Sequence, residues 1–124
     1  MGAPTVTLNG VVFEFDWEDA DTRQRYIDAA NAYFQNMDAL DKGAGEEQTP
    51  EEEIPYLRKA CANTRTMLDA VFGEGAGEKV FQGKDNFRIA REAVDRLYDS
   101  IEEQARSVSD WVMLNAGRYA PPEA

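Results

Sequence analysis

The stretch VFGEGAGEKVFQGKDNFR, residues 71–88, decides the fold. Val71 and Phe72 close an apolar helical period and land on Gly73, the residue type that stops a helix most readily. A small glycine-rich turn around Gly75 follows, then a second apolar turn at Val80 and Phe81, and Gly83 punctuates the chain again. Asp85-Asn86 then opens another helix, with Asp85 as the expected cap. The stretch is a joint between two helices, with Phe81 plugging its apolar side. GEGAGEK lacks the Walker spacing and the closing Gly-Lys-Ser/Thr and follows no strand, so it is not a phosphate cradle.

Upstream of the joint, Leu57, Cys61, Thr64, Leu68 and Val71 recur at helical spacing. Thr49-Pro50-Glu51-Glu52 starts that helix as a capping box with proline at its first position, and Pro55 either restarts the helix or bends it. The connector 43–48 is acidic and glycine-rich. The glutamates at 46–53 lack the Asp/Asn-and-Gly grammar of a calcium loop and read as a solvated turn. Before the connector, Tyr26, Ala30, Tyr33, Met37 and Leu40, with Ile27 and Phe34 beside them, mark a helix with a broad apolar stripe, and the acids at 16–21 supply its cap and negative first turn.

Downstream, Phe87, Ala90, Val94, Leu97, Ile101, Gln104, Val108 and Trp111 lie on an unbroken heptad track, widened by Tyr98, Ala105 and Val112. That width suits a bundle helix more than a two-stranded coil. At the N-terminus, TVTL and VVFEF flank Asn9-Gly10, a type I′ hairpin signal, and one face of the hairpin is apolar. The expected fold is mainly α, one domain spanning 1–124: a three-helix bundle with an N-terminal β-hairpin. The hairpin covers about 4–16, the helices about 18–42, 50–72 and 86–115, and a mobile tail about 117–124. The expected shared core is Phe13, Phe15, Tyr26, Tyr33, Phe34, Leu57, Leu68, Phe72, Val94, Leu97 and Ile101.

Composition narrows the function. The 124 residues carry a net charge of −11 with no histidine and one cysteine. Without histidine there is no His-based triad and no His-ligated zinc, no intrachain disulfide can form, and Cys61 reads as a small core residue. No nucleophile, base and oxyanion stabiliser can be assembled, so no enzyme, cofactor or metal is expected. The acidic balance argues against nucleic acid, and the five bases against three acids of residues 56–84 interrupt the continuous acidity a DNA mimic needs. No apolar run reaches the ~20 residues of a membrane span, and MGAPTVTLNG is neither a secretory signal nor a myristoylation site. The expectation is a soluble, cytoplasmic protein.

Together the hairpin and joint resemble those of small tail proteins from siphophages and prophages of Gram-positive bacteria, encoded between the major tail protein and the tape measure. Those proteins begin with an "xVxLNGxxFxF" hairpin and carry an "FGxG"–"lFxG" joint before a long last helix. The matching residues are Val6, Leu8, Asn9, Gly10, Phe13 and Phe15, then Phe72, Gly73, Gly75, Phe81 and Gly83. The resemblance implies a tail assembly chaperone that coats the apolar, helix-rich tape measure protein until tube subunits replace it. Such chaperones are commonly made in two lengths by a ribosomal frameshift; this chain would be the shorter form. The hairpin residues Val12, Phe13, Phe15 and Trp17 are the first candidates for contact with the client or for weak homo-oligomerisation, and Trp111 the second. The alternatives are a structural tail or head-completion component retained in the virion, and an acidic regulator of a host protein.

Overall fold

The computed structural model describes residues 2–45 and 48–119, the last three by backbone alone. β1 (Thr5–Leu8) and β2 (Val11–Glu14) pair antiparallel, with Val6 opposite Phe13 and Leu8 opposite Val11. Asn9 and Gly10 turn the chain with φ of 49° and 82°, the double positive φ of a type I′ turn. Among the described residues four helices follow: α1 (Ala20–Ala44), α2 (Pro50–Phe72), the short α3 (Ala76–Phe81) and α4 (Phe87–Tyr119). The molecule is a helical bundle with an N-terminal hairpin, and the second apolar turn of the joint is itself a six-residue helix.

Local chemistry explains the helix starts. Asp19 caps α1 by accepting the Thr22 N–H at 2.9 Å, and Thr49 caps α2 by accepting the Glu52 N–H at 3.2 Å. Pro55 neither restarts nor interrupts α2, which is continuous through it near its exposed first turns. The cap of α4 is Asn86, whose Oδ1 accepts the Arg88 N–H at 2.9 Å. Asp85, expected in that role, instead receives two arginines: Arg58 at 2.9 Å and Arg65 at 2.7 Å. Two guanidiniums within reach outcompete a helix N-terminus for a carboxylate. At the far end, Gly117 does not stop α4, which runs through it to Tyr119; the rest of the expected tail, 120–124, lies outside the described residues.

The core joins all these elements. Leu8, Phe15, Cys61, Thr64, Leu68, Val80, Phe81 and Leu97 are fully buried, with Phe13, Tyr26, Tyr33, Phe72, Val94 and Ile101 half-buried against them. Burial pushes the Cys61 thiol pKa up, consistent with an inert packing residue. Two of the expected core residues differ. Leu57 is half-buried outside this cluster, and Phe34 is 59% exposed. α1 packs chiefly on α2, so only one side of its wide stripe is covered; Tyr33 takes that side and Phe34 lies edge-on to it at 5.2 Å. Near the C-terminal end of α1, the Tyr56 hydroxyl donates to Asp41 Oδ1 at 2.7 Å. That bond pushes the Tyr56 pKa up to about 12.

Candidate functional site: the hairpin–joint cluster and the open end of α4

The two motifs that stand out in the sequence meet in space. Asn9 Nδ2 donates to the Val80 carbonyl at 2.6 Å, tying the hairpin turn to α3. Phe13 stacks on Phe72 with ring centroids 4.4 Å apart, and Phe15 meets the same ring edge-on at 5.8 Å. β1 lies along α4. The strand exit is fixed by Gln104, which accepts the Trp17 N–H at 2.8 Å and donates to the Phe15 carbonyl at 2.9 Å. A glutamine on the apolar track therefore satisfies two backbone groups that a leucine would leave unpaired.

Inside the joint each glycine has its own reason. Gly73 adopts φ 110° and ψ 161°, a region essentially closed to side chains, instead of the ordinary left-handed helix stop. Gly75 is left-handed at φ 89°, and Gly83 has φ 74°. Gly77, which the sequence did not single out, marks a contact: a Cβ there would stand 2.7 Å from the Arg65 Cα and carbonyl oxygen. Its N–H donates to Asp69 Oδ1 at 2.8 Å, so a side chain from α2 caps α3. Phe81 is fully buried and plugs the joint as expected, with the Arg65 guanidinium 4.4 Å above its ring. Arg65 also donates to the Lys84 carbonyl at 2.7 Å, and its hydrogen bond, with that of Arg58, holds the Asp85 carboxyl below its ordinary 3.8.

This packing changes the surface expected for contacts. Phe15 is buried, Phe13 is covered by Phe72, and Trp17 lies against Tyr26 at 5.5 Å under the Arg23 guanidinium. The aromatic side of the hairpin is closed by its own fold, because Phe72 and Gln104 supply the partners a lone hairpin lacks. Val12 stays 62% exposed. Trp111 is 54% exposed and is not isolated: Val112, Met113 and Leu114 beside it are also exposed, Leu114 at 85%. Four consecutive large apolar residues cover nearly the whole circumference of a helix, a pattern that belongs in a buried setting. From Ala105 to Ala116 no residue is buried.

Residues 9–122 match the model of DUF6673, a family of unknown function. The chain belongs to the DUF6673 family. The match takes in the Asn9 turn, β2 and the whole joint, so the hairpin–joint cluster lies within the matched span apart from β1. No curated protein and no solved structure matches the chain. Among the described residues, no group of three or more acidic, cysteine or histidine side chains could hold a metal ion. No helix among them is long and apolar enough to cross a membrane. A cleft of about 220 Å³ between the end of α1 and the start of α2 is lined by Leu40, Gln48, Pro55, Tyr56 and Lys59, among others. Tyr56 is already committed to Asp41 there.

Proposed function

We propose that this protein is a non-enzymatic phage tail assembly chaperone that holds a helical segment of the tape measure protein in the bacterial cytoplasm until the tail tube forms. The reading rests on the likeness of the hairpin and joint to those of such chaperones. The observation that carries it furthest is the open end of α4, where Trp111, Val112, Met113 and Leu114 are exposed together. A holdase needs apolar surface available to a client on an otherwise well-solvated body. A chain of net −11 that exposes four consecutive large apolar residues on α4, besides scattered ones such as Val12 and Phe34, meets that need. The client contact is therefore assigned to the distal half of α4, with Val12 on the hairpin as a minor one.

Mass spectrometry of tail intermediates and of finished virions from the encoding phage tests the assignment. The protein should accompany tape measure in intermediates and be absent from finished particles. Stoichiometric retention in virions would instead favour a structural tail or head-completion component.

A further inference from the structure

We infer that the free edge of β2 takes up an extended segment of another protein, one that places a lysine or arginine opposite Glu14. The hairpin register fixes which backbone groups are already used. Leu8 pairs with Val11 and Val6 with Phe13, and the Phe15 N–H donates to the Pro4 carbonyl at 2.8 Å. Bonded and non-bonded pairs alternate along an antiparallel ladder, so these three pairs are the bonded ones. Val12 and Glu14 therefore turn their N–H and C=O groups away from β1. Among the described residues no hydrogen bond reaches those four groups. The other edge differs: α4 lies along β1, and Thr7 shares a hollow with Ile89, Glu92 and Arg96. No helix among the described residues runs along β2 in that way.

The edge chooses its occupant. Two N–H and two C=O groups repeat over about 7 Å of strand, and an extended backbone is what meets all four at once. β2 carries none of the usual defences against such pairing. It has no proline, lysine or bulge, and Val11, Val12 and Phe13 all favour strand. Its single charge is Glu14, whose carboxylate makes no ion pair among the described residues. In a chain of net −11 that charge disfavours a second copy. It favours a cation on the facing strand, where paired side chains stand about 5 Å apart. Val12, 62% exposed on the same face as Glu14, suits a β-branched neighbour. Phe13 lies on the other face, half-buried against Phe72, so the partner residue beside it is apolar. An antiparallel partner thus reads basic, apolar, β-branched opposite Glu14, Phe13 and Val12.

The edge is separate from the exposed end of α4, so the pairing holds or fails independently of the client reading. Nuclear magnetic resonance of the full chain tests it, with a capped peptide of threonine, lysine, isoleucine, valine and threonine as the probe. The Val12 and Glu14 amides should exchange freely in the protein alone and become protected as the peptide binds. The Val11 and Phe13 amides, already bonded to β1, should stay protected throughout. Methylating the lysine and valine nitrogens of the peptide should abolish binding; methylating only the isoleucine nitrogen, which faces away, should not. Replacing the peptide lysine by glutamate should weaken binding about tenfold, and Glu14→Lys should reverse that preference. Val12→Pro removes an N–H that the ladder does not use, so binding should be lost while the thermal midpoint is kept. Should Val12→Pro unfold, the methylated peptides make the same test on the wild type. Four results would each overturn the proposal: Val12 and Glu14 amides protected in the protein alone, no shift at millimolar peptide, equal binding by the doubly methylated peptide, or a preference that Glu14→Lys leaves unchanged.

Discussion

Asn9 Nδ2 and the Val80 carbonyl, 71 positions apart, share a hydrogen bond of 2.6 Å that locks the hairpin turn onto the joint between α2 and α4. Asn9 does two jobs at once: it adopts φ 49°, which asparagine tolerates, and its amide reaches α3. Two substitutions separate them. Asn9→Gly keeps the turn and loses the bond, and should cost about 0.5–1.5 kcal/mol in chemical denaturation. Asn9→Asp turns an acceptor toward the carbonyl and should cost more. Equal stability of all three proteins would show that the bond does not hold the hairpin.

Gly77→Ala reverses the ordinary helix preference. Alanine in a helix is normally favoured over glycine by ~0.5–1 kcal/mol. Here its Cβ would meet the α2 backbone at Arg65 at 2.7 Å, and backbone cannot swing aside. The substitution should destabilise by about 1–3 kcal/mol, read from the denaturation midpoint.

At the helix stop, Gly73 has open space around it, so the cost of a side chain there is purely conformational. Gly73→Val should lose about 1–3 kcal/mol through backbone strain. Phe81→Ser removes a fully buried ring and places a hydroxyl in its cavity, and should be worse than Gly73→Val. Unchanged thermal midpoints in both would reduce the joint to a linker.

Acid should weaken the joint in a defined direction. The Asp85 carboxyl sits below its ordinary 3.8, chiefly through its hydrogen bond from Arg65, then that from Arg58. A depressed folded-state pKa gives stability that is present above the unfolded value and is lost as pH falls through the folded one. The difference in thermal midpoint between wild type and Asp85→Asn should be largest near neutrality and close as pH drops below 3.8. The Asp19 cap, whose pKa is lowered by the Thr22 N–H, adds to wild-type acid sensitivity in the same sense but is common to both proteins. A difference independent of pH would mean that the Asp85 charge is not what the two arginines recognise.

The sequence speaks clearly where the determining chemistry is local. The Asn9-Gly10 turn, the Thr49 cap, the glycine stop after Phe72 and the apolar periods each depend on residues within a few positions, and each is where the pattern put it. What escaped is set by which element comes alongside. Phe34 and Tyr33 are adjacent aromatics on one stripe, and only the position of α2 decides which is covered. Gln104 looks like a polar flaw in an apolar track until the backbone of Phe15 and Trp17, on a strand exit 89 positions away at Phe15, is seen to need it. The hairpin aromatics looked available for a partner because their partners, Phe72 and Gln104, are remote in sequence. Gly77 had a usable signal, a glycine between Ala76 and Glu78 in a segment otherwise able to form helix, but its crowding against Arg65 is a tertiary fact.

The chaperone reading is tested most directly by co-expressing the protein with the tape measure protein of its own phage and measuring co-purified client at about 50 mM and about 500 mM salt. The account predicts a complex at both, weakened only slightly by salt because the contact is apolar. Val108→Asp should lose most of it, and Phe34→Ser, on the exposed side of α1, should keep it. No complex at either salt would contradict the client assignment, and a complex that Val108→Asp leaves intact would contradict its placement on α4.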